Sequence, residues 1–196
     1  AALQFKALGE KHAHVEKGVK SQALYLDILN LKKDYPSLRD YSLSLRNSAK
    51  DQTRKDKLTK IYEESYFLIV QELEKKGGEA EAITKYEQFA VQNTKSPLAQ
   101  KSLWNAMQLY FKLGQLVEGS NASIEYYKRY PETKEGKAAL LKAAETYETL
   151  GHLEKAAATL ILLAKSDNEN QSKWRLMAAD YFTLLGDYKQ AKPLYE

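Results

Sequence analysis

The sequence predicts an all-α chain in which antiparallel helix pairs stack into a solenoid. Three observations carry that expectation. Ala, Leu, Lys and Glu dominate the 196 residues, with only nine Gly and four Pro among them, and these are the side chains that cost a helix least. Apolar positions recur at helical spacing in segment after segment. A glycine ends one helix of each pair at near-constant intervals: Gly77, Gly114, Gly151 and Gly186 are separated by 37, 37 and 35 residues.

Taken in order, Ala1 to about Lys17 reads as an amphipathic helix through Leu3, Phe5, Leu8 and Val15, interrupted by Gly18. A second helix, from about Val19 to Asp34, carries a stripe of Ala23, Leu24, Ile28 and Leu31 and stops at Tyr35-Pro36, because proline disfavours helical geometry in the residue before it. A third runs from Ser37 to about Lys50 on Leu38, Tyr41 and Leu45. The stretch Asn47–Lys57 is almost wholly polar, and a break is expected near Asp51–Thr53. From Leu58 the apolar face returns through Ile61, Tyr62, Tyr66, Ile69, Val70 and Leu73. Residues 1–53 are therefore N-terminal helices with a degenerate repeat, and 54–196 are about four repeats, the last truncated.

Aligned on the glycines, the repeats show size-selected rows. Eight residues before each stand Ile69, Ala106, Ala143 and Ala178, and four before stand Leu73, Tyr110, Tyr147 and Phe182. Five after come Ala82, Gly119, Ala156 and Ala191, all small, and nine after come Tyr86, Ser123, Leu160 and Tyr195. Small residues let the two helices of a pair approach, and large ones fill the seam to the next pair. Leu140–Leu163 is the best-preserved copy. Within it Ala144→Leu is expected to overpack and destabilise by about 1–3 kcal/mol. Ser96 before Pro97, and Thr133, are the expected helix caps.

These rows resemble the tetratricopeptide repeat, whose W-x2-L-G-x2-Y…A-x3-F…P pattern is matched by degenerate copies from about Leu58 onward. The pattern is departed from at Ser123, where a large residue is expected, and at Arg175. The resemblance implies a right-handed α-solenoid whose first helices line a groove. The Tyr-Pro after a second helix, in Y-Y-K-R-Y-P-E-T-K from Tyr126, is similar to bacterial envelope repeat proteins of the Tol–Pal-associated type. Leu103-Trp104-Asn105-Ala106 is similar to repeat proteins of gliding-motility machinery. This narrower resemblance implies a periplasmic scaffold in an envelope or motility complex, with the cytoplasm as second choice.

Carried over residue by residue, the groove has an apolar row ten residues before each glycine: Phe67, Trp104, Leu141 and Leu176. Six before stand the polar Gln71, Gln108, Glu145 and Asp180, and Phe111 lies three before Gly114. Such a spine with polar flanks suits an extended peptide or a partner helix. Trp104 and Phe111 are the expected anchors, since aromatics dominate interface hot spots; the competing reading is that the row only packs first helices together. A carboxylate clamp like that of chaperone adaptors in this family would need Lys and Asn there, and Phe67, Trp104 and Leu141 stand in their place.

Composition narrows function further. With 43% hydrophobic and 29% charged side chains the chain can build a core. The net charge of +4 comes from interspersed charges without a basic block, so nucleic acid is not an expected partner. The absence of Cys excludes disulfides, thiolate metal sites and a Cys nucleophile. No apolar run approaches the roughly 20 residues that span a bilayer. His12 and His14, two apart, point to different sides of a helix, and His152 is a turn residue. No phosphate-binding loop, dinucleotide fingerprint or paired acid and base is present, so no catalytic residue, cofactor or metal is expected. Asn121-Ala122-Ser123 and Asn170-Gln171-Ser172 fit the glycosylation pattern, which matters only in a eukaryotic secretory route.

The expected function is a non-catalytic scaffold for a protein or peptide partner. The alternatives are a regulatory domain of a larger enzyme or signalling protein, and a self-assembling structural module. The chain starts at Ala1, as if trimmed, and stops ten residues after Gly186 inside the last pair. It therefore reads as a fragment of a longer repeat protein, or as one whose terminal groove is filled by something else, self-association included.

Overall fold

The computed structural model describes residues 1–196 as eleven helices without a strand. No helix is long and apolar enough to cross a membrane. Contacts gather into two units, Ala1–Gly78 and Glu79–Glu196.

The first unit holds α1 (Ala2–Lys11), α2 (Glu16–Leu31), α3 (Tyr35–Ser48) and α4 (Gln52–Lys75). The division expected after residue 53 falls inside α4, because α3 and α4 pack along each other as one hairpin. The polar stretch 47–57 supplies the turn of that hairpin and the first turns of α4. Asp51 caps α4 by accepting the Arg54 backbone N–H at 2.7 Å, and the break lies at residues 49–51, just before the expected place. Asp34 caps α3 in the same way, accepting from Ser37, with Pro36 in the first turn.

Gly18 does not interrupt a helix. The chain breaks at residues 12–15, and Gly18 is buried inside α2. A Cβ there would stand 1.8 Å from the carbonyl oxygen of His12, so the residue is small to let the connector fold back over α2. Gly9 plays the same part for Gln22, whose Cγ lies 2.6 Å from where a Cβ would be. This close approach also selects the buried face of α2. It is Gly18, Gln22, Tyr25 and Leu29, flanked by Ser21 and Leu26, and not the stripe through Leu24 and Leu31. Leu31 is 84% exposed. Tyr25 meets Tyr41 of α3 edge to face at 4.9 Å, a geometry worth about 0.5–1.5 kcal/mol beyond area burial.

The second unit holds α5 (Glu79–Gln92), α6 (Pro97–Lys112), α7 (Leu116–Arg129), α8 (Lys134–Thr149), α9 (Leu153–Ser166), α10 (Gln171–Leu184) and α11 (Tyr188–Tyr195), each packed on the next. The expected caps are made: Ser96 Oγ accepts from the Leu98 N–H and Thr133 Oγ1 from the Gly136 N–H. Gly77, Gly114, Gly151 and Gly186 all take left-handed φ between 72° and 85°. At each, the glycine N–H and the next N–H return to carbonyls of the last turn, the second bond at 2.8–3.0 Å. That arrangement satisfies the orphan carbonyls of a helix end, and only glycine adopts it without strain. The carbonyl accepting the second bond belongs to Leu73, Tyr110, Tyr147 or Phe182, so one residue both closes its helix and, in unit two, fills the seam.

The small rows meet at the helix crossings. Ala106, Ala143, Ala178, Ala156 and Ala191 are all buried. Ser123, where a large side chain is expected, is buried too, and its hydroxyl donates to the Gly119 carbonyl at 2.8 Å. One turn earlier, at Gly119, the Phe111 ring of α6 lies 3.0 Å from where a Cβ would be. Arg175, the other departure, donates from Nη2 to the Pro193 carbonyl and ties α10 to α11. The connection from α9 to α10 is no shorter than its counterparts, four residues at 167–170 as at 93–96 and 130–133. The shorter last interval comes from α10, which has 14 residues where α6 and α8 have 16. Asp167 ties the start of α10 by accepting from both Asn170 and the Trp174 indole.

Ala144 borders a hollow between α8 and α10, so a larger side chain there has somewhere to go. Its neighbour Ala143 is fully buried and lines no such space. The overpacking cost of about 1–3 kcal/mol is therefore expected for Ala143→Leu, with a smaller loss for Ala144→Leu. Urea titration of the two variants checks the order; equal losses would contradict it.

Candidate functional site

Seven of the nine residues expected to line a groove lie on α6, α8 and α10 of the second unit and two on α4 of the first, and the structure sorts them into three groups. Leu141 and Glu145 come together on α8. With Glu148, Lys173, Trp174, Met177 and Tyr181 they line a hollow of about 230 Å3 between α8 and α10, floored by Ala144 and Leu160. The indole of Trp174 is held from behind, its Nε1 donating to Asp167 Oδ2 at 2.9 Å. That hydrogen bond is the main reason the Asp167 carboxyl titrates below its ordinary value. Lys173 Nζ lies 4.5 Å from the Trp174 ring centroid, within cation–π range. Burial, followed by a hydrogen bond to Glu148, pushes the Tyr181 phenol up to about 12. Glu145 is exposed and forms no ion pair. A preformed apolar slot with a free carboxylate at its edge results.

The second group packs more than it presents. Trp104 is half-buried, with its ring edge to face with Tyr126 of α7 at 5.4 Å. Phe111 is half-buried between Gly119 and Lys142, whose Nζ is 5.8 Å from the ring centroid. Gln108, between them on α6, is exposed. The two anchors expected from the sequence thus pack against α7, Phe111 over the space that Gly119 leaves open and Trp104 against Tyr126.

The third group lies elsewhere. Leu176 is 51% exposed, Asp180 accepts from the Tyr195 hydroxyl of α11 at 2.8 Å, and neither lines the hollow. Phe67 and Gln71 belong to α4 in the first unit, where Phe67 is only 4% exposed and forms part of the core. Reading one row along successive copies missed Lys173, Trp174, Met177 and Tyr181. A hollow between neighbouring first helices is lined by opposite sides of the two, ten and six residues before the glycine on α8 but twelve, nine and five before it on α10. The signal available was the aromatic and Met spacing of Trp174, Met177 and Tyr181, an i, i+3, i+7 set.

A larger hollow of about 440 Å3 lies over α6, between α5 and α7, bordered by Glu87, Val91, Leu103, Tyr110, Glu118 and Glu125 among others. Tyr110 donates to Glu87 at 3.0 Å. Burial first, then the Glu87 charge, pushes its phenol up to about 12. Tyr147 repeats the device one copy later, donating to Asn121 of α7 at 2.6 Å. These hydroxyls staple α6 to α5 and α8 to α7. No group of three or more His, Cys, Asp or Glu is placed to hold a metal ion.

No family model and no curated protein matches the chain. Among solved structures, BtubC (BKLC) from P. vanneervenii aligns over 98% of this chain and 83% of its own, at 12% identity and a TM-score of 0.40. A putative kinesin light chain from Podosopora anserina with nearly identical TPR-like repeats aligns over 90% of both chains, at 14% identity and a TM-score of 0.39. A singly substituted form of that same protein aligns over the same shares at 13% identity and a TM-score of 0.40. At these scores the likeness carries no weight of its own, and the repeat architecture rests on the glycine turns and helix pairing described above.

Proposed function

We propose that residues 79–196 are a non-catalytic scaffold that holds a peptide or partner helix against α8 and α10. The observation that carries this reading is the slot of Leu141, Trp174, Met177 and Tyr181 with Glu145 free at its edge. Preformed apolar slots with a few fixed polar groups cost little ordering on binding. The bacterial envelope or motility setting, in the periplasm, is part of the same proposal and is supported by the narrower sequence resemblance alone; fractionation of the native protein tests it.

A photo-reactive amino acid at position 145 should capture a defined partner, while the same group at exposed Ala158 on α9 should not. Met177→Lys should weaken that capture about tenfold or more, equal to about 1.4 kcal/mol, with helicity retained. Equal capture from both positions would overturn the reading.

A second reading is favoured by the surface of α10 and α11, where Leu176, Leu184, Tyr188 and Tyr195 are all at least half exposed. Exposed apolar groups of this size mark contact surfaces, and self-association through them predicts a concentration-dependent mass in sedimentation. A constant monomer mass would remove it.

A further inference from the structure

The net charge is unevenly divided. Residues 1–78 contain 15 basic and 11 acidic side chains, whereas 79–196 contain 15 of each, so the whole +4 belongs to the first unit. Much of it lies in the polar stretch 47–57, and the fold wraps that stretch around a cavity. The cavity measures about 370 Å3, opens to solvent and is bordered by residues of α2, α3 and α4. Its floor is aliphatic: Val19, Leu45, Leu58 and Ile61. Leu45 and Leu58 are buried core residues, so the space is a recess and not a flat patch.

At the mouth stand Arg54 and Lys57. Arg54 is positioned from below by Gln22, which is only 3% exposed. The Gln22 Nε2 donates to the Gly9 carbonyl at 2.8 Å, which turns its Oε1 outward to accept from Arg54 Nη2. A buried amide thus orients a guanidinium whose remaining donors are unclaimed. Neither Arg54 nor Lys57 is paired with a carboxylate side chain. Asp51 is the one acid on the rim, and its Oδ2 accepts the Arg54 backbone N–H. The mouth carries a net charge of about one positive, enough for one carboxylate.

We propose that this recess binds a small monocarboxylate with an aliphatic stem, the stem on Leu45, Leu58 and Ile61 and the carboxylate against Arg54 and Lys57. The volume falls at the lower end of small-molecule sites, which run from about 300 to 1,000 Å3. A planar guanidinium held in place matches a carboxylate and forms charge-assisted hydrogen bonds stronger than neutral ones. An amine on the same stem meets two cations, and an alcohol lacks the charge that gains from them. The site lies wholly within residues 1–78, so it stands or falls independently of the slot on α8 and α10.

Calorimetric and NMR titration of the full chain with octanoate, octanol and octylamine tests the proposal. Octanoate should bind saturably, moving the amide signals of Leu45, Arg54 and Leu58, and should bind about tenfold or more tightly than either matched probe. Lys57→Gln, at an exposed side chain without partners, should weaken octanoate severalfold, and Arg54→Gln should do the same. Lys60→Gln removes the same charge from a cation paired with Glu64 outside the recess and should leave binding unchanged. Circular dichroism of each variant guards against loss of fold. Absence of octanoate binding, equal binding of octanol, or an equal loss in Lys60→Gln would each overturn the assignment.

Discussion

Tyr147→Ala is expected to cost the second unit about 3–5 kcal/mol, the range found for removing a large aromatic from a core. Tyr147 is 1% exposed and sits where three helices meet. Its ring packs among Ala156, Ala157 and Leu160 of α9, stacks on His152 at 6.1 Å, and has Lys155 Nζ 5.4 Å from its centroid. Its hydroxyl reaches Asn121 on α7. Truncation therefore leaves a cavity whose walls are the backbones of three helices drawn close by alanines, and such walls relax little. Tyr147→Phe separates the parts, since it removes only the hydrogen bond. Its cost should be about 0.5–1.5 kcal/mol, or less because Asn121 is exposed and water can replace the phenol. Urea titration followed by tryptophan fluorescence measures both, because Trp104 and Trp174 lie in this unit. A loss under about 1.5 kcal/mol for Tyr147→Ala would mean that the seam repacks.

Gly18→Ala should destabilise the first unit although it places a better helix former in α2. The propensity gain is about 1 kcal/mol at most. Against it stands the His12 carbonyl, whose oxygen and carbon lie 1.8 and 2.4 Å from the added Cβ. These are backbone atoms and cannot swing away as the end of a side chain can. Overpacking of this kind costs about 1–3 kcal/mol and occasionally more, so the net effect is a loss of about 2 kcal/mol at the upper end of that range. Native-state hydrogen exchange of the α1 and α2 amides should show it as faster exchange. Gly77→Ala offers a contrast: nothing lies within 4 Å of its Cβ, and any loss there would come from left-handed strain alone.

The architecture was legible because its determinants are local. A helix that ends in a left-handed turn selects glycine at one position and an apolar residue four before it, and no distant contact is needed to recognise either. The caps at Ser96 and Thr133 were legible for the same reason. The face of α2 was not. Leu24 and Leu31 are as apolar as Leu26 and Leu29, and only the close approach at Gly9 and Gly18 selects between the two sets. In the sequence Gly18 looks like a breaker and in the fold it serves as a space, since a sequence shows the missing side chain and not what occupies its place.

The candidate site divides along the same line. Leu141 and Glu145 were found by position within their own copy, and they do border a slot. Trp104 and Phe111 follow from the same rule, yet their rings pack on α7, Phe111 over Gly119 and Trp104 against Tyr126, an arrangement that needs both helices. Trp174, Met177 and Tyr181 were missed because a slot between α8 and α10 takes opposite sides of its two walls. By itself the sequence determined the helices, their closing turns and the small residues that let pairs cross. Which apolar side chains remain open to a partner, and which complete a neighbour's packing, only the tertiary structure decided, because exposure depends on the volume that facing helices leave unfilled.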